Sequence, residues 1–90
     1  IVLIDDLGFG ATSPFGGPIA TPTLEKLAGQ GLRFTNFHTT ALCSPTRAAL
    51  KSGRNHHMVN MGFITELATA FPGATGSIPN ATAPVAEMLR

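Results

Sequence analysis

The chain has few charged residues, a single cysteine, and neither tryptophan nor tyrosine among its 90 residues. One cysteine excludes an internal disulfide framework, and it leaves the redox compartment undetermined. No apolar run approaches the about 20 residues that a membrane-spanning helix needs, so no membrane partner is expected. The net charge of +1 comes from scattered Lys and Arg residues, which offer no basic stripe for nucleic acid.

The scarcity of charge also bears on domain organisation. Charged residues make up 12% of the chain, about half of the usual ~25%, whereas hydrophobic residues reach 43%. The chain opens without Met on an apolar run, residues 1–4, and it stops at Arg90 inside an expected helix. We therefore expect residues 1–90 to be part of a larger domain, incomplete at both ends.

The first 38 residues carry the pattern of a β-α-β unit. The unbroken apolar run 1–4 is typical of a strand covered on both faces, and residues 32–38 alternate like a second strand. Between them, Thr21 and Pro22 predict the start of a short amphipathic helix. Such crossovers are right-handed in nearly all cases, which makes the two strands parallel. The sequence thus predicts an α/β fold with a mostly parallel central sheet flanked by helices.

Two adjacent carboxylates, Asp5 and Asp6, directly follow the first expected strand. Desolvating two neighbouring negative charges is costly without a counter-charge, which a divalent cation supplies. A hard cation such as Ca²⁺ takes about six to eight oxygen ligands, so the pair would form only part of a shell. The alternative to metal binding is that the two aspartates lie in a solvent-exposed turn. In a parallel sheet, Asp5 and Asp6 would share an edge with residues 39–43, which follow the second strand.

A helix start after the second expected strand carries reactive groups. Ser44 predicts the N-cap, Pro45 the first helical position and Gly53 the end of the helix. On that register Cys43 lies just outside the helix, at the positive end of its dipole, where an anion is favoured. Arg47 falls in the first turn, where the helix dipole disfavours a positive charge. A residue placed against this local preference indicates a functional site. A buried structural cysteine beside a solvent-facing arginine is the alternative.

The order Cys-Ser-Pro-Thr-Arg at residues 43–47, leading into a helix and a glycine, resembles the Cys-x-Pro-x-Arg motif of the formylglycine-dependent type I sulfatases. The resemblance implies that a formylglycine-generating enzyme oxidises Cys43 to formylglycine. The hydrated aldehyde is then the nucleophile, and Arg47 holds the hydrate. A hydrate that lies beside a helix N-terminus, an arginine and a metal can lose a proton at neutral pH, because the surrounding positive charge stabilises the anion.

Residues 4–10 resemble the metal-binding element of the same family. The resemblance implies that Asp5, Asp6 and the modified Cys43 bind a divalent metal, Ca²⁺ with Mg²⁺ as the alternative. It also implies an alkaline-phosphatase-like fold, of which residues 1–90 would be the N-terminal portion of the catalytic domain. Because that family uses further catalytic residues downstream, the isolated chain is expected to be inactive.

The resemblance implies hydrolysis of sulfate esters, and residues 56–62 resemble bacterial arylsulfatases, which favours aryl sulfates as the small-molecule substrate. A phosphonate monoester or phosphodiester hydrolase of the same superfamily is one alternative, and a non-catalytic remnant with unmodified Cys43 is another. A cysteine phosphatase is disfavoured because only three residues separate Cys43 from Arg47. The sequence does not determine the cellular compartment, although the bacterial cytoplasm or periplasm is favoured.

The adjacent histidines His56 and His57 are expected to have structural or supporting roles. Two neighbouring residues do not easily converge on one ion, and the helical i, i+4 spacing of zinc proteases is missing. They are therefore left out of the expected metal site.

Overall fold

The computed structural model describes all 90 residues, which form two compact units, Ile1–His38 and Thr39–Arg90. Three α-helices occur: α1 (Pro22–Gln30), α2 (Cys43–Ser52) and α3 (Val85–Met88). Short 3-10 helices lie at Ser13–Phe15, His56–Val59 and Thr65–Leu67. None of these helices has both the length and the apolar character required to cross a bilayer.

The first unit is organised around the turn that leads into α1. Thr12 and Ile19 form an isolated parallel bridge, and the backbone N–H of Ser13 donates to the carbonyl of Ile19 at 2.9 Å. The hydroxyl of Ser13 accepts the backbone N–H of Thr21 at 3.0 Å. α1 then begins at Pro22, which confirms the predicted helix start.

The two expected strands, residues 1–4 and 32–38, do not form in this structure. Their apolar side chains are largely exposed: Ile1, Val2 and Leu32 are 107%, 85% and 84% exposed, respectively. A strand of a parallel sheet makes its hydrogen bonds with neighbouring strands, so its sequence pattern alone does not hold it in place. The sheet of the predicted α/β fold is therefore not confirmed by the local structure.

The second unit is built around α2. Its core contains Ala48 of this helix together with Val59 and Met61, and Pro45 is also fully buried. The helix ends where predicted, at Gly53, which adopts a left-handed conformation with φ of 65°. Glycine is favoured there because it has no Cβ to clash. The buried face of α2 thus packs against the segment that follows the helix.

Asn60 joins the turn after α2 to a glycine-rich loop. Its φ of 60° lies in the left-handed region, which Asn tolerates better than most residues. Its side-chain Oδ1 accepts the N–H of Gly73 at 3.0 Å, and its carbonyl accepts the N–H of Gly76 at 2.8 Å. The N–H of Gly62 donates to the carbonyl of Gly73 at 2.8 Å. These bonds connect residues that lie more than ten positions apart in the chain.

We predict that Gly62→Ala destabilises the second unit. A Cβ at this position would lie 2.8 Å from the carbonyl oxygen of Gly73 and 3.0 Å from Nδ1 of His57. Because backbone has little room to move, we expect a loss of about 1–3 kcal/mol in the free energy of unfolding. Urea denaturation of the protein expressed from its complete coding sequence measures this loss.

Gly29→Ala is the matched control for that experiment. Gly29 lies within α1, is exposed, and has nothing within 4 Å of an added Cβ. The same chemical change should there be neutral or stabilising, by up to about 1 kcal/mol, because alanine favours the helix. Equal unfolding midpoints for the two variants would contradict the steric argument.

Candidate active site

The helix that carries Cys43 begins two residues earlier than the sequence predicts. Leu42 is the N-cap, with φ of −132° and ψ of 155°, and Cys43 is the first helical residue. Pro45 is therefore the third, where its missing N–H costs nothing because the first four N–H groups of a helix have no partner within it. The predicted N-cap, Ser44, lies inside the first turn instead, and Cys43 lies inside the helix and not just before it.

Cys43 and Arg47 lie four residues apart on α2, so both occupy one face of the helix. Cys43 is exposed and Arg47 is half-buried. The first turn holds no acidic residue, and its N–H groups carry the positive end of the helix dipole. With the earlier helix start, Arg47 falls in the second turn, where the dipole opposes its charge less than predicted. The arrangement favours an anion beside residue 43.

Asp5 and Asp6 lie at a bend in the first unit, and both are exposed. Asp6 has a φ of 53°, a conformation in which Asp is several-fold enriched among non-glycine residues. Carboxylate oxygens are the donors that Ca²⁺ and Mg²⁺ prefer. Within neither unit do three or more His, Cys, Asp or Glu residues come together in a group that could hold a metal ion. The donor chemistry fits a hard divalent cation, to which this pair supplies only some of the ligands.

The four predicted site residues are distributed over both units. Asp5 and Asp6 belong to Ile1–His38, whereas Cys43 and Arg47 belong to Thr39–Arg90. The structure places Cys43 and Arg47 together on α2. The convergence of the two aspartates with Cys43 at a sheet edge stays a prediction.

A pair of threonines around Cys43 was missed by the sequence analysis. The hydroxyl oxygens of Thr40 and Thr46 are 2.5 Å apart, and Thr40 Oγ1 also donates to the carbonyl oxygen of Leu42 at 2.8 Å. The only sequence signal is two threonines placed symmetrically, three residues before and three after Cys43. This spacing alone does not predict that the two hydroxyls meet, because their separation depends on where the helix begins.

The adjacent histidines make hydrogen bonds within the second unit, among them one through the ring of His56 and one through the backbone N–H of His57. Nδ1 of His56 lies 3.1 Å from the carbonyl oxygen of Met61, and the backbone N–H of His57 donates to Oδ1 of Asn55 at 2.9 Å. The two rings lie 4.1 Å apart, centroid to centroid. The structural or supporting role expected for the pair stays a prediction.

An exposed side chain at the positive end of a helix, backed by an arginine one turn along, is the class of arrangement that attracts a tetrahedral oxyanion. Comparison with known proteins identifies the family. The sulfatase family model matches residues 1–90. The chain therefore belongs to the sulfatase family, which confirms the resemblance seen in its motifs. This family implies the predicted alkaline-phosphatase-like fold, although no strand forms in the present structure.

Individual relatives support the same assignment. An uncharacterised sulfatase of Schizosaccharomyces pombe is 40% identical over 100% of this chain and 18% of its own length. Human arylsulfatase A is 41% identical over 99% of this chain and 17% of its own length. Human N-acetylgalactosamine-6-sulfatase is 38% identical over 100% of this chain and 18% of its own length. The chain thus spans less than a fifth of the length of these relatives.

Proposed function

We propose that the protein hydrolyses sulfate esters and that its nucleophile is a formylglycine made from Cys43. The observation that carries this proposal is the placement of Cys43 and Arg47 on one face at the start of α2, within the Cys-x-Pro-x-Arg order of a sulfatase-family chain. A sulfate ester is negatively charged, so the helix start and the guanidinium of Arg47 would both attract it.

Aryl sulfates are the substrate class that we propose. Arylsulfatase A is named for such esters, and this relative is 41% identical to the chain. The name N-acetylgalactosamine-6-sulfatase specifies a sugar sulfate, at 38% identity. The relatives' names therefore support sulfate ester hydrolysis more broadly than they support the aryl group.

In the proposed reaction, residue 43 acts through the two hydroxyls of its hydrated aldehyde. A formylglycine-generating enzyme first oxidises Cβ of Cys43 to the aldehyde, with dioxygen as the oxidant and with loss of the thiol sulfur, and water adds to give the hydrate. One hydroxyl of the hydrate loses its proton to a base and its oxygen attacks sulfur, the bond from sulfur to the ester oxygen breaks, and a general acid protonates the departing alcohol. The second hydroxyl then loses its proton, the bond from Cβ to the sulfate oxygen breaks, sulfate leaves, and the aldehyde reforms and is hydrated again. A serine at this position has one hydroxyl only and lacks this route of release.

Asp5 and Asp6 would hold the divalent cation, Ca²⁺ or alternatively Mg²⁺, with the modified residue 43 as a further ligand. When bound, the ion supplies positive charge that polarises a sulfate oxygen. Both carboxylates are exposed, so an ion from solution can reach them. Arg47 would hold the hydrate and the sulfate oxygens by charge-assisted hydrogen bonds.

We predict that residue 43 carries an aldehyde in protein purified from its native host. Trypsin cleaves after Arg33 and Arg47 and releases residues 34–47, which contain the modified position. Mass spectrometry should show loss of the thiol sulfur, and an aminooxy reagent should label this peptide. An intact cysteine in protein that turns over sulfate esters would refute the nucleophile.

We predict that Asp5→Asn and Asp6→Asn each weaken Ca²⁺ binding by at least about tenfold, because each removes a charged ligand. Isothermal titration of metal-stripped protein with CaCl₂ measures the affinity. Glu25→Gln is the matched control, since it removes a carboxylate charge from an exposed position on α1. If all three variants bind Ca²⁺ as tightly as the wild type, the metal role of the aspartates fails.

We predict a higher kcat/KM for para-nitrophenyl sulfate than for the corresponding phosphonate monoester, with the protein expressed from its complete coding sequence and co-expressed with the modifying enzyme. Cys43→Ala should lower sulfate turnover by roughly 10³-fold or more, because it removes the nucleophile. A preference for the phosphonate would favour the phosphonate hydrolase alternative. No turnover of either ester, together with an intact thiol at residue 43, would favour the non-catalytic remnant.

A further inference from the structure

Two threonine hydroxyls tie the segment before Cys43 to the first turns of α2. Thr40 and Thr46 are half-buried, and their hydroxyl oxygens lie 2.5 Å apart. Thr40 Oγ1 is 2.8 Å from the carbonyl oxygen of Leu42, and Thr46 Oγ1 is 3.4 Å from the carbonyl oxygen of Thr40. Each hydroxyl has one hydrogen, so both short contacts are satisfied only when Thr46 donates to Thr40 and Thr40 donates to Leu42.

The threonines are linked to residue 43 through the carbonyl group of Leu42, the preceding residue. Its oxygen accepts the hydroxyl of Thr40 and also the backbone N–H of Thr46, at 3.2 Å. The carbonyl of Leu42 and the N–H of Cys43 belong to one planar peptide group. Two donors on this oxygen therefore set the orientation of the peptide that begins residue 43. No side chain caps the N–H groups at Leu42, so these hydroxyl contacts are the side-chain hydrogen bonds found at the start of the helix.

We propose that Thr40 and Thr46 form a hydroxyl clip that positions residue 43 for reaction. This inference rests on the proposed function, since it concerns the same nucleophile. Thr46 occupies a position that the Cys-x-Pro-x-Arg order leaves open, so its hydroxyl has a role separate from the motif. Neither threonine contacts the reacting atoms in this scheme, and both are positioning residues. A displacement of a nucleophile by about 1 Å is enough to cost roughly 100-fold in rate.

Thr40→Val and Thr46→Val test the clip, because each removes one hydroxyl and keeps the branched shape. The protein is expressed from its complete coding sequence, and rates are normalised to the fraction of residue 43 in the aldehyde form. We expect kcat for para-nitrophenyl sulfate to fall by about five- to fiftyfold, with KM changing less than about twofold. The double variant should be no slower than the slower single variant, because each hydroxyl acts through the other.

Two control variants accompany these substitutions. Thr46→Ser keeps the hydroxyl and should retain the wild-type kcat. Thr75→Val makes the same chemical change at an exposed threonine and should leave kcat unaltered. An unchanged kcat in both clip variants, a fall that Thr46→Ser shares, or an additive fall in the double variant would each overturn the clip.

A second measurement does not depend on turnover. In protein made without the modifying enzyme, iodoacetamide alkylates the exposed thiol of Cys43, and the rate depends on how this side chain is held at the helix start. Because Cys43 is already exposed, loosening the clip adds little access, and a changed rate reports a changed position of the thiol. We expect the alkylation rate of the valine variants to differ from the wild-type rate by about two- to fivefold, under conditions where melting curves show every variant folded.

The two measurements distinguish failure of the clip from failure of the proposed function. An alkylation rate that stays at the wild-type value in both valine variants overturns the clip, whatever the turnover. A wild-type protein that hydrolyses no sulfate ester and keeps its thiol in the native host overturns the proposed function, and the alkylation rates then decide the clip alone.

Discussion

Backbone N–H groups at the start of α2 place partial positive charge around residue 43, and the local chemistry depends on that field. The four N–H positions without a partner inside the helix are residues 42–45, of which Pro45 has no hydrogen to offer. The N–H of Thr46 makes the first bond of the helix, to the carbonyl of Leu42 at 3.2 Å. The helix itself therefore leaves the N–H groups of Cys43 and Ser44 without an intrahelical partner. An oxyanion beside the side chain of residue 43 would meet these donors and the charge of Arg47, which lies one turn along.

The remainder of the second unit supports this helix start from the opposite side. At about 100° per residue, Cys43 and Arg47 share one face of α2, whereas Pro45 and Ala48 fall on the other. Those two residues are buried, and Ala48 shares the core with Val59 and Met61, which follow the helix. Because the face with Pro45 and Ala48 is packed, the face with Cys43 and Arg47 is turned outward, with Cys43 exposed and Arg47 half-buried. Asn60 and Gly62 then hold the segment after the helix against residues 73–76.

Local signals predicted the parts of the fold that depend on a few neighbouring residues. Pro22 starts α1 and Gly53 ends α2 as predicted, because a fixed φ and a left-handed conformation are properties of those residues themselves. The predicted start of α2 was wrong by two residues: Leu42 is the N-cap and makes no side-chain cap hydrogen bond, so the capping preference of Ser44 did not decide where the helix begins. The predicted strands depend on pairing with other segments, and this pairing is absent from the structure.

The sequence by itself determined the family and the candidate nucleophile, because the order Cys-x-Pro-x-Arg is read within five consecutive residues. It also indicated Asp5 and Asp6 as hard donors, since two adjacent carboxylates need a counter-charge. Only the tertiary structure decided the helical register of Cys43, the clip between Thr40 and Thr46, and the closure of the loop by Asn60. The physical reason is that these features are hydrogen bonds between residues four to sixteen positions apart, whose donors and acceptors meet only after the backbone has folded.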